Sequence, residues 1–425
     1  MGPGAIPVAE PFPAEGLPLE DARRRVLRDL SPLPGEERLR LRSCLGRVSS
    51  REAHAAEDIP GFRASILDGY AIADSDPPPE GSCWRVVGRS APGSPHAGSL
   101  RQGQAVRILT GAPLPPEGLR VLPQELVDLE HGASAPGSGR LRLCGSAGDQ
   151  TWIRPADEEA RAGDPILQAG VHLGPADLAR LASCGVTEVW VRARPRLGLL
   201  ISGDELVPAG SPRGAGQIWE SNGLLLSALL ARLGHDVAEQ RVVADEPAEL
   251  RTAMQDLASR CDLVVSTGGV SVGDSDWIRP LLGELGAVEF WKLFLKPGRP
   301  FAFGTLAGRP FFGLPGNPVA AAVVALQLLW PALQRLEGAP PQTFPRIPVR
   351  LANALRRRSG RPELARARLD VGVDGQAMAR VDGRQASSRI GSLQGADLLL
   401  EIPAELGDLE VGHPLWAQIL RVPLL

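Results

Sequence analysis

Strands and helices alternate along residues 196–336, and this alternation restricts the fold more than any other feature of the sequence. Short apolar runs typical of buried strands are followed by segments with apolar residues at helical spacing. Strands separated by helices of this length predict a largely parallel sheet with helices on both faces. The expected strands are 196–202, 237–243, 261–266, 288–295, 301–303 and 311–313, and the expected helices are 221–233, 247–259, 277–285 and 318–336.

The segments on either side of residues 196–336 have different sequence patterns. Residues 1–17 are rich in Pro, Gly and Ala and are expected to form a loose tail, followed by a helix over 19–30 and a short helix or turn over 37–48. Residues 54–162 combine turn signals with short strands, and the chain after Gly163 is expected to pack back against the first helix. The predicted domains are the tail 1–17, an elongated domain 18–53 plus 163–194, an inserted β-rich domain 54–162, an α/β domain 195–343 and a small C-terminal β domain 344–425.

Composition excludes several classes of function. The 425 residues exceed what one hydrophobic core supports, and a net charge of −3 provides no general field for nucleic acid or anionic lipid. Five scattered cysteines without a CxxC pair argue against a zinc site and a disulfide framework. Because there is no leader-like start and no run approaching about 18 apolar residues, we expect a cytoplasmic protein without nucleic-acid or membrane partners.

A glycine-rich loop, 266–276, follows an expected strand and precedes an expected helix. Ligands of such sheets sit beyond the carboxyl ends of the strands, where backbone N–H groups of glycines can approach phosphate oxygens. Asp274 and Asp276 could hold Mg²⁺, which takes one or two carboxylates and completes its shell with water and phosphate. A simple turn explains these residues nearly as well. The residues assigned to substrate here are Gly268, Gly269, Ser271, Gly273 and Asp274.

The same loop contains GVSVG, which matches the nucleophile elbow of hydrolases with Ser271 as nucleophile. A further Gly-Asp-Ser-Asp separates that serine from the expected helix, whereas an elbow enters its helix directly. The only histidine after Ser271 is His413, in the expected terminal β domain. We therefore interpret the match as accidental.

Lys292 and Lys296 are the only lysines among 46 basic residues. Lysine presents a compact point charge where the planar guanidinium of arginine would be too wide. The presence of two lysines in an arginine-rich chain therefore indicates a function. Chance survival under codon bias is the alternative. The turns LKPGRP and GLPGNP follow apolar strands and are expected at one edge of the sheet, where Arg299 adds positive charge. Asn317 can cap the helix that starts at Pro318, and a helix N-terminus suits an oxyanion.

Seven segments in this order resemble molybdopterin molybdenumtransferase, which inserts molybdate into molybdopterin and is related to a domain of gephyrin. They are SILDGYAI, LTGAPLP, SGDEL, GQIWESN, STGGVSVGDSDW, FWKLFLKPGRPFAF and GLPGNPVAA. The resemblance implies an α/β fold with additional β-rich domains: a three-layer α/β molybdopterin-binding domain, an inserted β-rich domain and a C-terminal β-barrel. It also implies a homodimer with its site between the α/β domain of one subunit and the inserted domain of the other.

The implied reaction consumes adenylylated molybdopterin and molybdate with Mg²⁺ and yields molybdenum cofactor and AMP. Carried over by motif, the catalytic residues are Asp68, Thr110, Glu158, Glu205, Asp245, Lys292 and Lys296. The implied metal ligands are Asp276 and Glu205. Further residues for substrate are Arg299, Pro315, Gly316, Asn317, Pro318, Arg366 and Ser387.

This chain departs from the family pattern at three of these positions. Arg299 replaces a lysine, Glu158 lies in Ala-Asp-Glu where the family has Gly-Glu-Asp, and Ser387 lies in Gln-Ala-Ser where the family has Gln-Gly-Ser. Two other functions are considered: molybdopterin adenylyltransferase, which shares the glycine-rich α/β domain, and a non-catalytic scaffold of the gephyrin kind. The DGYA and TGAP segments and the additional domains oppose the adenylyltransferase. An adenylyltransferase and molybdoenzymes are possible protein partners.

Overall fold

A computed structural model describes residues 11–130, 139–270, 277–381 and 383–420. Its central sheet has six strands, of which four are parallel and two form an antiparallel edge. The predicted, largely parallel sheet is therefore confirmed. In spatial order the strands are Val237–Val243, Leu197–Ser202, Leu263–Thr267, Arg309–Leu314, Pro300–Leu306 and Gly286–Lys292.

Helices cover both faces of this sheet, as the alternating pattern predicts. Leu226 and Val323 belong to the core on one face, whereas Leu257 and Ile278 belong to the core on the other. The strand Leu197–Ser202 is buried along its whole length, which explains its continuous apolar run. The helices are Asn222–Arg232, Pro247–Arg260, Ile278–Leu285 and a continuous stretch of Pro318–Val324, the π-helical Ala325–Leu329 and Trp330–Leu336.

The expectation that no segment approaches a membrane span needs a correction. Within the described ranges, the stretch Pro318–Leu336 is long and apolar enough to cross a membrane by length and composition. However, 89% of its most apolar window is buried inside the fold. The helix is apolar because neighbouring elements surround it in the core.

The elongated part is built from two separate chain segments. The strand Glu36–Arg40 pairs antiparallel with Glu188–Arg192, and Ala53–His54 pairs with Pro165–Leu167. The short helix expected over 37–48 is therefore wrong for its first part, because a partner strand about 150 residues away holds residues 36–40 extended. A 3₁₀ turn, Leu41–Ser43, and the helix Pro175–Ser183 complete this part.

The first helix, Leu19–Arg28, packs against the α/β part rather than against the returning segment, so the expected packing is wrong. Its Ala22 and Val26 belong to the same core as Leu329. The Arg23 guanidinium donates hydrogen bonds to the backbone and side-chain oxygens of Gln327, at 3.1 and 3.0 Å. The apolar face of the helix is therefore buried against the α/β part. The returning segment packs against Cys44 in a separate core.

The inserted part is β-rich. Six strands form one sheet in the order Arg120–Pro123, Gly69–Ile72, Gln104–Ile108, Cys83–Ser90, Gly139–Leu143 and Val127–Glu130. Ala64–Ser65 pairs with Ile153–Arg154, and a 3₁₀ turn covers Gln124–Leu126.

Five strands form a closed barrel at the C-terminal end, as the family resemblance implies. Barrel residues Leu364 and Leu399 belong to the same core as the α/β part, so the barrel is packed directly against it. In spatial order the strands are Arg346–Leu351, Ala377–Arg380, Glu363–Val371, Leu398–Ile402 and Pro414–Ile419, and a 3₁₀ turn covers Ile390–Ser392.

Candidate functional site

A cavity of about 1000 Å³ lies beyond the carboxyl ends of the parallel strands. The loops after Leu197–Ser202, Leu263–Thr267 and Arg309–Leu314 line it, and residues 385–388 of the barrel part close one side. Both Pro-Gly turns, 295–300 and 315–318, belong to its wall, which confirms their predicted position at one edge of the sheet. The glycine loop enters the same wall at Gly268 and Gly269.

Both described glycines of that loop are required by close packing. Gly268 has φ +94° and Gly269 has φ +62°, in the left-handed region that favours glycine. A Cβ on Gly268 would lie 2.4 Å from the Ser202 carbonyl oxygen, and one on Gly269 would lie 2.8 Å from Ile278. Ser271, Gly273, Asp274 and Asp276, to which substrate or metal binding was assigned, lie outside the described residues.

Hydrogen bonds hold the Pro-Gly-Asn turn in place. Asn222 Nδ2 donates to the Gly316 carbonyl at 2.7 Å and to Thr267 Oγ1 at 2.9 Å. The Thr267 hydroxyl in turn donates to the Pro315 carbonyl at 3.0 Å. The strand end and the turn are thereby fixed relative to each other.

The predicted capping role of Asn317 is wrong. Asn317 precedes the helix at Pro318, but its side chain makes no capping hydrogen bond. Instead, the Val319 N–H donates to the Ser387 carbonyl of the barrel part at 3.1 Å. The side chain of Asn317 therefore remains at the cavity wall without a structural task at the helix end.

The two lysines have different environments. Lys296 lies in the cavity wall, and its ammonium contacts the buried carboxylate of Glu363 at 3.1 Å. Lys292 lies outside the described wall, and its ammonium donates to the Ala14 carbonyl at 2.9 Å. Arg299 lies in the wall beside Lys296. The positive charge of the described wall therefore comes from Lys296, Arg299 and Arg361.

Three acidic residues, Glu205, Glu220 and Asp245, belong to the cavity wall. Burial raises the pKa of Asp245, the nearby Ser202 hydroxyl lowers it, and the negative charges of Asp204 and Glu205 raise it further. Asp245 Oδ1 is buried and has no hydrogen-bond partner among the described residues. No cluster of three metal-ligating side chains is present in the described ranges. A single acceptor oxygen of this kind suits Mg²⁺, which needs few protein carboxylates.

Asp68, Thr110 and Glu158 lie in the inserted part and outside the described cavity wall. Asp68 Oδ1 accepts hydrogen bonds from the backbone N–H and the hydroxyl of Thr110, both at 2.8 Å, and these bonds lower the pKa of Asp68. Glu158 forms an ion pair with Arg154 at 2.8 Å. One chain therefore does not bring these three residues to the cavity.

Arg366 and Ser387 are divided between two cavities. Ser387 lines the main cavity, whereas Arg366 lines a separate space of about 190 Å³ with Arg368 and Arg389. Arg366 is buried, which lowers its pKa to about 10, and its Nη1 has no hydrogen-bond partner among the described residues. Its Nε donates to Ser392 Oγ at 3.2 Å.

Three family models match consecutive parts of the chain. They are described as the MoeA N-terminal region (domain I and II), over residues 17–185, a probable molybdopterin binding domain, over 198–335, and the MoeA C-terminal region (domain IV), over 348–417. The main cavity is lined mostly by residues of the second match and closed by residues of the third.

Molybdopterin molybdenumtransferase of Haemophilus influenzae is 33% identical over 403 residues, covering 93% of this chain and 97% of that protein. The chain belongs to the molybdopterin molybdenumtransferase family. Gephyrin of Dictyostelium discoideum is 26% identical, and the match covers 93% of this chain and 61% of gephyrin. A solved MoeA structure from Pyrococcus horikoshii OT3 is 25% identical with a TM-score of 0.79, covering 95% of this chain and all of that chain.

The family assignment confirms the resemblance seen in the motifs, but it does not identify every residue in the cavity. Trp219 and Asn222 line the wall, yet no role was assigned to them, although both belong to the quoted segment GQIWESN. Glu363 was also missed. No sequence signal could have found it, because its contact with Lys296 joins residues 67 positions apart.

Proposed function

We propose that the chain inserts molybdate into adenylylated molybdopterin and releases AMP, giving molybdenum cofactor. The observation that carries this proposal is a single cavity with acidic and basic groups at the carboxyl edge of the sheet. Lys296 and Arg299 supply positive charge, Gly268 and Gly269 bring backbone close to the cavity, and Glu205 and Asp245 supply carboxylates. The activity named for the Haemophilus influenzae relative, molybdopterin molybdenumtransferase, matches this combination.

Charge explains why such a site suits the reaction. Molybdate and the pyrophosphate link of the adenylylated pterin are anions, and the chain's net charge of −3 does not attract them. Local donors must therefore offset their charge, and Lys296, Arg299 and the helix N-terminus at Pro318 occupy one side of the cavity. Cleavage of a phosphoanhydride depends mostly on positioning and on stabilisation of charge, which fixed donors provide.

We propose that Mg²⁺ binds at the acidic side of this cavity. Glu205 and Asp276 are the ligands that the resemblance implies, and the unpartnered oxygen of Asp245 adds a third candidate among the described residues. When bound, the ion would neutralise phosphate charge. The carboxylates and the basic turn belong to the same cavity wall, and together they would orient an anionic substrate toward Lys296 and Arg299.

We further propose a cytoplasmic homodimer in which Asp68, Thr110 and Glu158 reach the cavity of the partner subunit. Their position outside the cavity wall of their own chain supports this arrangement. Lys292, Asn317, Arg366 and Ser387 are proposed to serve substrate binding, and the proposed domain limits are those predicted from the sequence. Contacts with an adenylyltransferase and with molybdoenzymes would supply substrate and accept product.

The test is AMP release from adenylylated molybdopterin with Mg²⁺, measured with and without molybdate. We expect release that increases with molybdate and that Glu205→Gln suppresses, whereas Glu249→Gln, at an exposed helix position, leaves it unchanged. Tight binding of the adenylylated pterin without release would favour a scaffold. Formation of adenylylated pterin from ATP and molybdopterin would favour the adenylyltransferase.

A further inference from the structure

We propose that Trp219 forms a stacking surface for a flat, bicyclic heteroaromatic ring of the substrate, either the adenine or the pterin. This inference rests on the proposed function, because that reaction brings both rings to the cavity. Trp219 is 47% exposed, and neighbouring Ile218 is 49% exposed, although both belong to the cavity wall. Large apolar side chains exposed inside a polar cavity mark a place where a ligand removes apolar surface from water.

The backbone of Trp219 is fixed to the acidic side of the cavity. The two-residue strand Ile218–Trp219 pairs in parallel with Leu206–Val207. The Ile218 N–H donates to the Glu205 carbonyl, and the Glu220 N–H donates to the Val207 carbonyl, both at 2.8 Å. The ring is thereby attached to the segment that carries Glu205, one of the three acidic residues of the wall.

The orientation of the indole ring is also fixed. Its N–H donates to the Ser211 carbonyl at 2.9 Å, and the Arg213 guanidinium lies over the ring, 4.0 Å from its centroid. Arg213 is not part of the cavity wall, whereas Trp219 is. Because a guanidinium already covers one face, we expect the other face to be the one that is open to the cavity. A ring held in this way loses little conformational freedom when a ligand stacks on it.

Trp219 is the only aromatic side chain among the described residues of the wall. The cavity is therefore divided by chemistry, with an apolar region at Ile218 and Trp219 and a basic region at Lys296 and Arg299. A nucleotide or a pterin phosphate has the same division, since a flat ring is joined to an anionic group. Stacking on Trp219 would place the ring at the first region and leave the anion for the second.

The test measures binding rather than turnover. Calorimetric titration compares AMP, ribose 5-phosphate, which lacks the ring, and pterin, which lacks the phosphate. Loss of the indole in Trp219→Leu is expected to weaken the affinity for AMP or pterin about tenfold, the scale of one stacked ring, and to leave ribose 5-phosphate unchanged. Trp219→Phe keeps an aromatic face and should retain most of the affinity. The ligand that responds identifies which ring occupies the site.

Trp416 provides a matched control, because it is 49% exposed and the Arg346 guanidinium lies over its ring at 5.0 Å, but it is outside this cavity. Trp416→Leu should leave all three affinities unchanged. Equal affinities in Trp219→Leu and Trp416→Leu, or wild-type protein that binds neither ring, would overturn the inference. Trp219-dependent ring binding together with absent AMP release would refute the proposed function and leave a ring-binding site.

Discussion

Lys296 and Glu363 form an ion pair that joins the basic turn of the cavity to the first residue of a barrel strand. The Lys296 ammonium lies 3.1 Å from each carboxylate oxygen of Glu363, which is only 3% exposed. Arg357 Nε contacts the same carboxylate at 3.3 Å. The backbones are joined as well. The Lys296 N–H donates to the Pro362 carbonyl, and the Leu364 N–H donates to the Lys296 carbonyl. The barrel thus fixes the position of a cavity cation.

Glu363→Gln is expected to lower both stability and activity. The amide can still accept a hydrogen bond but no longer offsets the charges of Lys296 and Arg357, which should cost on the order of 2 kcal/mol of unfolding free energy. AMP release should fall because the ammonium loses its anchor. Glu401→Gln, which breaks the exposed pair with Arg346, should cost at most about 1 kcal/mol and leave AMP release unchanged. Equal effects of the two substitutions in urea titrations and AMP assays would contradict this role.

Lys296→Arg preserves charge but is expected to lose at least about tenfold in AMP release, because the planar guanidinium cannot occupy the place of a compact ammonium between Glu363 and the cavity. Lys292→Arg should have a smaller effect, since the Lys292 ammonium contacts a backbone carbonyl outside the described wall. Steady-state kinetics of AMP release by both variants measure this difference. Wild-type kinetics in Lys296→Arg would remove the functional interpretation of the two lysines.

The sequence predicts the parallel sheet well because its strands are local apolar runs, and Val237–Val243 agrees with its predicted limits. The sequence does not predict the strand Glu36–Arg40, because this charged segment is held extended only by its distant partner Glu188–Arg192. The motifs locate the two sides of the cavity, but the ion pair of Lys296 with Glu363 depends on docking of the barrel. Neither long-range contact leaves a pattern in the local sequence, and closure of the barrel was implied only by family resemblance.

Asp245→Asn is expected to raise stability at neutral pH while it lowers AMP release by roughly a hundredfold, the scale for removing one group from a preorganised site. Burial raises the folded-state pKa of Asp245 above the ordinary aspartate value of 3.8, so its stabilising contribution is present below that value and is lost as pH rises through the raised pKa. The stability gain of Asp245→Asn should therefore grow as pH rises above about 4. Urea titrations at several pH values measure it, with exposed Asp236→Asn as control.

Mixed dimers test whether Asp68 serves the cavity of the other subunit. Asp68→Asn and Asp245→Asn should each be nearly inactive alone. If half of the co-expressed dimers are mixed and each has one intact site of two, about a quarter of wild-type AMP release should return. Sites built within one chain would give no recovery, because each subunit would carry one defect.

A buried cluster of ionisable groups lies between the elongated part and the α/β part. Glu337 Oε1 is 3.8 Å from Arg194 Nε and 3.9 Å from His235 Nδ1. Burial raises the pKa of Glu337 to about 7, against the lowering effect of Arg194 and Arg47. Burial also lowers the pKa of His235 to about 4, with Arg194 and His172 adding to the shift. Burial therefore favours proton binding by Glu337 and proton loss by His235.

These shifts predict opposite effects of pH on stability. The contribution of Glu337 is complete below the ordinary glutamate pKa of 4.5 and is lost as pH rises through about 7, a change of about 3 kcal/mol. His235 has a lowered pKa, so its contribution is gained as pH rises from about 4 to 6.5. The two slopes nearly cancel in the wild type. Glu337→Gln should expose a stability that rises with pH over this range, and His235→Asn one that falls. Urea titrations between pH 4.5 and 7.5 measure both, and parallel curves for the three proteins would refute the opposed titration.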